Sequence, residues 1–234
     1  MVSLMLALLL SSAVDTPARP GSAPVAAPVA GPVAGPAAAA DATQTAEQVQ
    51  RYYDAAKELH AHFDQTVVTA MGTKKRASGD VWLKKPGRMR WDYAKPEKKL
   101  MVADGQTLWV YEPEDEQAFK QDLRGTNLPD SVAFLLGEGR LRDQFEPTIE
   151  TAPPAGVVQP GEVVLRLAPK HPTSAYKSLL FIVEPRSGAV NGTIVFDQQG
   201  GESRIRFSGI ETNKPIEDAR FKFTPPPGTR VLKP

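Results

Sequence analysis

The sequence predicts an α+β fold in which about ten short strands form one curled antiparallel sheet, accompanied by helices. The first observation is an alternation of apolar and polar residues after Phe63, in runs rich in β-branched and aromatic side chains, which is typical of half-buried strands. The second is the turn chemistry between the runs, as at Pro86-Gly87, Asp104-Gly105 and Ser187-Gly188. About ten strands joined by tight turns is near the size at which a twisted sheet curls on itself.

Ten segments carry the strand pattern. In chain order they are VWLKK, RMRWDY, KLMVAD, TLWVYE, QAFKQDL, VVLRLAP, SLLFIVEP, GTIVFDQ, SRIRFSG and ARFKFTPP. Their short connections favour antiparallel pairing of neighbours along the chain.

Two segments show helical patterns. Thr45 and Gln48 form a capping box, and apolar residues follow at three- and four-residue spacing: Val49, Tyr52, Ala56, Leu59 and Phe63. The second segment, NLPDSVAFLLGEG, has Asn127 as a possible N-cap, Gly137 as a stop and an apolar stripe of Leu128, Val132, Leu135 and Leu136. This second helix either lies across the concave face of the sheet as a lid or packs permanently on the sheet.

The N-terminal part of the chain divides into two segments that we place outside the fold. Residues 1–14 form a short apolar run ending in small residues, which predicts a signal peptide and export, with a buried helix as the alternative. Residues 15–44 are rich in proline and alanine and predict a disordered linker. Residues 45–234 are then the folded domain.

Composition argues against several functional classes. Lys and Arg number 28 against 27 Asp and Glu, so no overall field attracts nucleic acid or a membrane surface. The chain has no cysteine and three histidines, and it carries no phosphate-binding loop, nucleophile elbow or zinc-protease motif. We therefore predict no enzyme, no catalytic residue, no cofactor and no metal; on a helix, His60 and His62 would point to different faces.

Charge is nevertheless uneven along the chain. The stretch from Lys74 to Lys99 contains ten cations and three acids, which gives it a net charge of +7. This basic stretch either steers an acidic partner protein or discourages edge-to-edge pairing of strands. The acidic run from Glu112 to Glu116 contains Pro113 and predicts a solvated hairpin loop.

Three segments, in this order and spacing, resemble the periplasmic outer-membrane lipoprotein carrier family, LolA. They are SGDVWLKKPGRMRWDYAKP, MVADGQTLWVYEPEDEQ and ARFKFTPPPGTRV, and the resemblance covers roughly residues 45–231. It implies an incomplete, half-open antiparallel β-barrel of about ten or eleven strands with helices covering the open side. It also implies a monomeric periplasmic carrier, not embedded in the membrane, that takes lipoproteins by their acyl chains from an inner-membrane ATP-driven releasing complex and delivers them to an outer-membrane receptor.

A carrier of this kind needs an apolar hollow, because each methylene buried is worth about 0.8 kcal/mol. Alternation along RMRWDY places Met89, Trp91 and Tyr93 together on one face, which we assign to the cavity. On the preceding strand, a two-residue turn would turn Trp82 inward, with Val81 and Leu83 as the rival inward residues. The predicted acyl-chain cavity is Met89, Trp91, Tyr93, Met101, Trp109, Ile182, Ile194, Phe196, Ile205 and Phe207.

The resemblance further implies a latch on the lid, at the residue before the proline of KKPGR. The family commonly has arginine there, hydrogen-bonded to lid carbonyls, whereas this chain has Lys85. Lysine keeps the charge but lacks the planar five-donor fork of arginine, so we expect a weaker latch.

Two other functions remain open from the sequence. A related periplasmic lipid- or glycolipid-binding or sensor domain of the same fold is the first alternative; a second domain would favour it. A small hydrolase is the second, and it would show turnover that is lost when a histidine is changed.

Overall fold

The fold is one large, mostly antiparallel sheet. The computed structural model describes residues 41–123, 139–171 and 173–233, which form a twelve-stranded sheet in the order β12-β6-β5-β4-β3-β2-β1-β11-β10-β9-β8-β7. Among these strands β12 and β7 stand at opposite edges, so the sheet is open. The structure is thus an open half-barrel of the α+β class.

The elements follow one another along the chain with short connections. Helix α1 (Ala42–Ala55) precedes six strands: β1 (Glu58–Val68), β2 (Lys74–Lys84), β3 (Arg88–Lys95), β4 (Lys99–Asp104), β5 (Thr107–Glu112) and β6 (Gln117–Asp122). After a short helix α2 (Leu141–Gln144) come five more: β7 (Phe145–Ile149), β8 (Val163–Pro169), β9 (Ser178–Val183), β10 (Val190–Phe196) and β11 (Glu202–Thr212). A 3₁₀ helix (Asp218–Phe221) and β12 (Arg230–Leu232) complete the described chain.

Helix α1 begins earlier and ends earlier than the sequence predicted. Its N-cap is Asp41, whose carboxylate accepts from the Thr43 N–H at 2.8 Å, so the capping box at Thr45 is wrong. The helix ends at Ala55, and Leu59 and Phe63 lie in β1 with alternating burial. Pairing of β1 with both β2 and β11 outweighs the helical spacing of these apolar residues.

Twelve strands form where the sequence predicted ten or eleven. Nine of the ten predicted segments are strands, while ARFKFTPP instead supplies the 3₁₀ helix and an irregular segment. The pattern missed β1, β7 and β12. Strand β7 carries Pro147, which is tolerated at an edge, and β12 has three residues and pairs in parallel with β6.

The two faces of the sheet are defined by register. The inner face carries Phe63 and the residues that share its side on neighbouring strands, and α1 contributes Ala46, Val49 and Tyr53 to the same buried cluster. Gly188, in the β9–β10 turn at φ +82, lies so close to α1 that a Cβ would stand 2.4 Å from the Gln48 carbonyl oxygen. This close approach seats α1 against that turn.

The C-terminal arm, residues 213–229, crosses the outer face of the sheet from β2 to β5. The 3₁₀ helix packs on β3 and β4, and its Asp218 carboxylate lies 2.8 Å from Lys84 Nζ and 2.7 Å from Arg88 Nη1. The Arg220 guanidinium lies 4.4 Å from the centroid of the Trp82 ring. The arm therefore covers part of the outer face and makes these contacts on the side of the sheet opposite to the inner cluster.

Candidate functional site

Six of the ten predicted cavity residues lie on the inner face. Trp91 pairs with Met101 across β3 and β4, while Met89 and Tyr93 share its side of β3. Phe207 and Ile205 of β11 stand opposite Phe63 and Gln65 of β1. Most of these side chains are buried, whereas Trp91 and Phe207 remain partly exposed, so the inner face reaches solvent beside them.

An aromatic cluster occupies the middle of this face. The Phe63 ring centroid lies 4.9 Å from those of both Trp91 and Tyr93, and Trp91 lies 6.3 Å from Phe207. Edge-to-face arrangements such as these are favourable for aromatic pairs. The sequence missed Phe63 because its spacing from Leu59 and Ala56 matched a helix.

The other four predicted cavity residues lie on the outer face, which corrects their assignment. Trp109 pairs with Val102, on the side opposite Met101, and its ring lies 5.7 Å from that of Phe223 in the C-terminal arm. Ile194 and Phe196 belong to a separate apolar cluster with Val164 and Leu180. Ile182 shares the outer side, since it pairs with Gly192 and Val164.

The reason for these errors is that apolar residues cover both faces of these strands. All six residues of β9 are buried, so alternation could not show which side is the inner one. The inner residues of β9 are Leu179, Phe181 and Val183, and none of them was predicted. Their register with β10, which itself pairs with β11, is what places them on the inner face.

The β2–β3 connection settles the orientation of the tryptophan motif. Lys84 pairs with Arg88, which leaves a loop of three residues, and Val81 stands opposite Trp91. Val81 and Leu83 are therefore the inward residues of β2. Trp82 faces outward and stacks on His60, with ring centroids 4.9 Å apart and planes at 9°.

Tyr93 has unusual electrostatics. Its side chain is 7% exposed, and its hydroxyl is buried without a hydrogen-bond partner in the described part of the chain. Burial raises the pKa of Tyr93 above its ordinary value, because ionising it would place a charge in a poorly solvated site.

Lys85 contacts the last turn of α1. Its ammonium donates to the Tyr53 carbonyl, and its backbone N–H donates to the Lys57 carbonyl at 2.9 Å. Burial lowers the pKa of Lys85, and the Asp54 carboxylate partly offsets this. The predicted lid residues Leu128, Val132, Leu135 and Leu136 lie outside the described residues.

The two neighbouring histidines share one face, contrary to the expectation for a helix. His60 and His62 are two apart on β1, on its outer side, and Asp80 Oδ1 lies 3.3 Å from His60 Nε2 and 3.7 Å from His62 Nδ1. Across the three described ranges, no group of three or more histidine, aspartate or glutamate side chains could hold a metal ion.

No helix in the described ranges combines the length and the apolar character needed to cross a membrane.

Comparison with known proteins gives one consistent family. The family described as "Outer membrane lipoprotein carrier protein LolA" matches residues 54–224. The outer-membrane lipoprotein carrier protein of Dechloromonas aromatica is 30% identical over 187 residues, covering 80% of this chain and 86% of that protein. That of Chromobacterium violaceum is 32% identical over 190 residues, covering 79% and 85%.

One solved structure supports the fold alone. An uncharacterized conserved protein from Thermus thermophilus superposes with a TM-score of 0.54 at 12% identity, over 82% of this chain and 99% of that one.

Proposed function

Because the chain belongs to the outer membrane lipoprotein carrier protein LolA family, we propose that it is a carrier that binds the acyl chains of lipoproteins. The observation that carries the proposal is the inner face. This face of the half-barrel carries methionine and aromatic side chains, and it is partly open to solvent beside Trp91 and Phe207. Acyl chains enter beside these two residues.

The energetics favour an apolar face of this kind over directed polar bonds. Each methylene taken out of water is worth about 0.8 kcal/mol, so one long acyl chain contributes on the order of 10 kcal/mol. Methionine adapts to irregular shapes, which suits Met89 and Met101 to a ligand that must also leave.

Membership of the family supports a proposal for the cellular role. The carrier acts in the periplasm, receives lipoproteins from an inner-membrane ATP-driven releasing complex, and passes them to an outer-membrane receptor. Helix α1 supports the idea that helices cover the open side, since Val49 and Tyr53 pack in the inner cluster. The segment with Leu128, Val132, Leu135 and Leu136 is proposed as the further lid.

The test compares two neighbouring positions on opposite faces of β11. Phe207 is partly buried on the inner face and Ser208 is exposed on the outer one. A carboxylate on the inner face opposes the binding of an apolar ligand, because desolvating the carboxylate is unfavourable. Phe207→Glu and Trp91→Glu should therefore each reduce the amount of lipoprotein recovered in complex with the carrier, by about tenfold or more. Ser208→Glu should leave the yield near that of the original protein.

The measurement is release of a labelled triacylated lipoprotein from spheroplasts or proteoliposomes into a complex with the carrier. Circular dichroism checks that each variant stays folded. Equal yields for Phe207→Glu and Ser208→Glu would remove the inner face as the binding surface. If the original protein forms no complex with lipoprotein, the carrier function itself is wrong.

A further inference from the structure

A second feature of the inner face is a pocket at one of its ends, the mouth pocket. It has a volume of about 590 Å³. It lies where β1 ends, β2 begins, β3 turns into β4 and β5 turns into β6. The pocket is therefore at the edge of the apolar face, where a polar part of a ligand could stay while its apolar part lies further in.

Cations line one part of the mouth pocket. They come from the start of β2 and from the β3–β4 connection: Lys75, Arg76, Lys95, Lys98 and Lys99. In the described ranges, the first four form no ion pair with a carboxylate. Lys99 is more deeply placed, with its ammonium 5.0 Å from the Tyr93 ring centroid, and burial lowers its pKa, an effect that Glu112 and Glu97 partly offset.

Acids line another part of the same pocket. Glu112, Glu114 and Asp115 come from the end of β5 and the turn after it, and Glu97 comes from the β3–β4 connection. Within the described chain these acids also form no ion pair with a cation. Charges of both signs thus line one pocket, and apart from the influence of Glu112 and Glu97 on Lys99 they are not paired with one another in the described ranges, an arrangement that suits a ligand carrying both signs.

Tyr93 joins the mouth pocket to the apolar face. It lines the pocket, and its ring packs on Phe63 in the aromatic cluster. Its buried hydroxyl has no partner among the described residues. An unpaired buried hydroxyl costs about 1–3 kcal/mol, so a ligand that accepts from it gains a hydrogen bond without displacing an existing one.

We propose that the mouth pocket binds the zwitterionic headgroup of a phospholipid that carries a phosphate and a primary ammonium, such as a phosphoethanolamine lipid. The phosphate lies against Lys75 and Arg76 and accepts from the Tyr93 hydroxyl, and the ammonium lies toward Glu114 and Asp115. The acyl chain extends past Tyr93 along the inner face. This inference rests on the proposed function, because it uses the same apolar face for the chain.

The first experiment measures what the headgroup adds to binding. Palmitoyl lysophosphatidylethanolamine and monopalmitoyl glycerol have the same acyl chain, and each is titrated into the full chain below its micelle concentration by calorimetry. Charge-assisted hydrogen bonds are worth about 1.5–3 kcal/mol, so we expect the phospholipid to bind about tenfold tighter or more. Equal dissociation constants for the two amphiphiles would overturn the proposal.

Three neighbouring basic residues at the start of β2 provide the test positions and their control. Lys74, Lys75 and Arg76 are all exposed, so alanine at these positions leaves the fold intact, but Lys74 does not line the pocket. The double variant Lys75→Ala/Arg76→Ala and the single variant Tyr93→Phe should lose most of the phospholipid's advantage, while Lys74→Ala keeps it. An equal loss of phospholipid affinity in Lys74→Ala would show that general surface charge causes the effect, and it would overturn the assignment.

A third set of ligands separates a zwitterion from a simple anion. Lysophosphatidylglycerol has the phosphate but no ammonium, and it should bind more weakly than lysophosphatidylethanolamine. Glu114→Gln/Asp115→Asn should remove that difference. Tighter binding of the phosphatidylglycerol lipid, or displacement of the phospholipid by an equal concentration of inorganic phosphate, would show a plain anion site and overturn the proposal.

The outcomes also separate this proposal from the carrier function. If monopalmitoyl glycerol binds and lipoprotein transfer proceeds, but no ligand shows a headgroup preference, the headgroup site alone is wrong. If neither amphiphile binds and no lipoprotein is transferred, the carrier function fails and the headgroup site fails with it.

Discussion

The buried hydroxyl of Tyr93 is not explained by its contribution to stability. It is buried next to Phe63, at a ring separation of 4.9 Å, yet its oxygen has no hydrogen-bond partner in the described ranges. Phenylalanine would give the same packing without the cost of desolvating a hydroxyl. A destabilising polar group at the junction of the mouth pocket and the aromatic cluster is typical of a group kept for a ligand.

Tyr93→Phe should therefore stabilise the protein while weakening phospholipid binding. We expect the free energy of unfolding at pH 7 to rise by about 1 kcal/mol, measured by chemical denaturation. A fall in stability would show that the hydroxyl has a partner in solution.

Tyr93 also makes stability depend on pH in the alkaline range. Its pKa is raised in the folded protein by burial, whereas the unfolded chain ionises near pH 10. The free energy of unfolding is therefore insensitive to this group below about pH 10 and falls as the pH rises further, by up to about 1.4 kcal/mol per pH unit, because the unfolded chain releases the proton that folded Tyr93 keeps. Between pH 9 and 11, the free energy of unfolding measured by denaturation should fall less steeply with pH for Tyr93→Phe than for the original protein. Identical slopes would contradict the raised pKa.

Lys85, directly after β2, connects that strand to helix α1. The Lys85 ammonium caps a carbonyl in the last turn of α1, that of Tyr53, which complements the negative end of the helix dipole. Tyr53 is buried in the inner cluster. Displacing α1 from the inner face would therefore require this contact to break, and we propose that Lys85 acts as a latch on α1.

Lys85→Arg should slow the release of bound lipoprotein. The guanidinium fork offers more donors to the carbonyls of the last turn, and a further 0.5–1 kcal/mol or so corresponds to about two- to fivefold slower release. Lys57→Arg is the control, since Lys57 is exposed at the same junction. The measurement is the rate of lipoprotein transfer to acceptor membranes, and equal rates for both variants would exclude the latch.

The sequence predicted most strands correctly because their inner and outer residues differ in polarity. In β3 the alternation of Met89 and Trp91 with Arg90 and Asp92 identified the inner side correctly. In β9 both sides are buried, so the register with β10 was needed to separate Ile182 from Phe181. In β1 the spacing of Leu59 and Phe63 fits either a helix or a strand, and only pairing with β2 and β11 decides between them.

The C-terminal arm packs on the face of the sheet opposite to the proposed binding face. The C-terminal arm covers part of the outer face with Phe221, which is 1% exposed, and with Phe223, whose ring lies 5.3 Å from that of Tyr111. The inner face and the mouth pocket lie on the other side. ARFKFTPP, predicted as a strand, thus contributes through packing on the sheet instead of through pairing within it.

Phe221→Ala tests whether the two faces are independent. Removing a fully buried phenylalanine typically costs about 3–5 kcal/mol, so the free energy of unfolding should fall by that amount in urea denaturation. Phe223→Ala is the graded control and should cost less, because Phe223 is only partly buried. At temperatures where both variants remain folded, affinity for monopalmitoyl glycerol should stay within about twofold of the original value. A large loss of affinity in folded Phe221→Ala would mean that the arm also sets the shape of the inner face, because the curvature of one continuous sheet is shared by both of its sides.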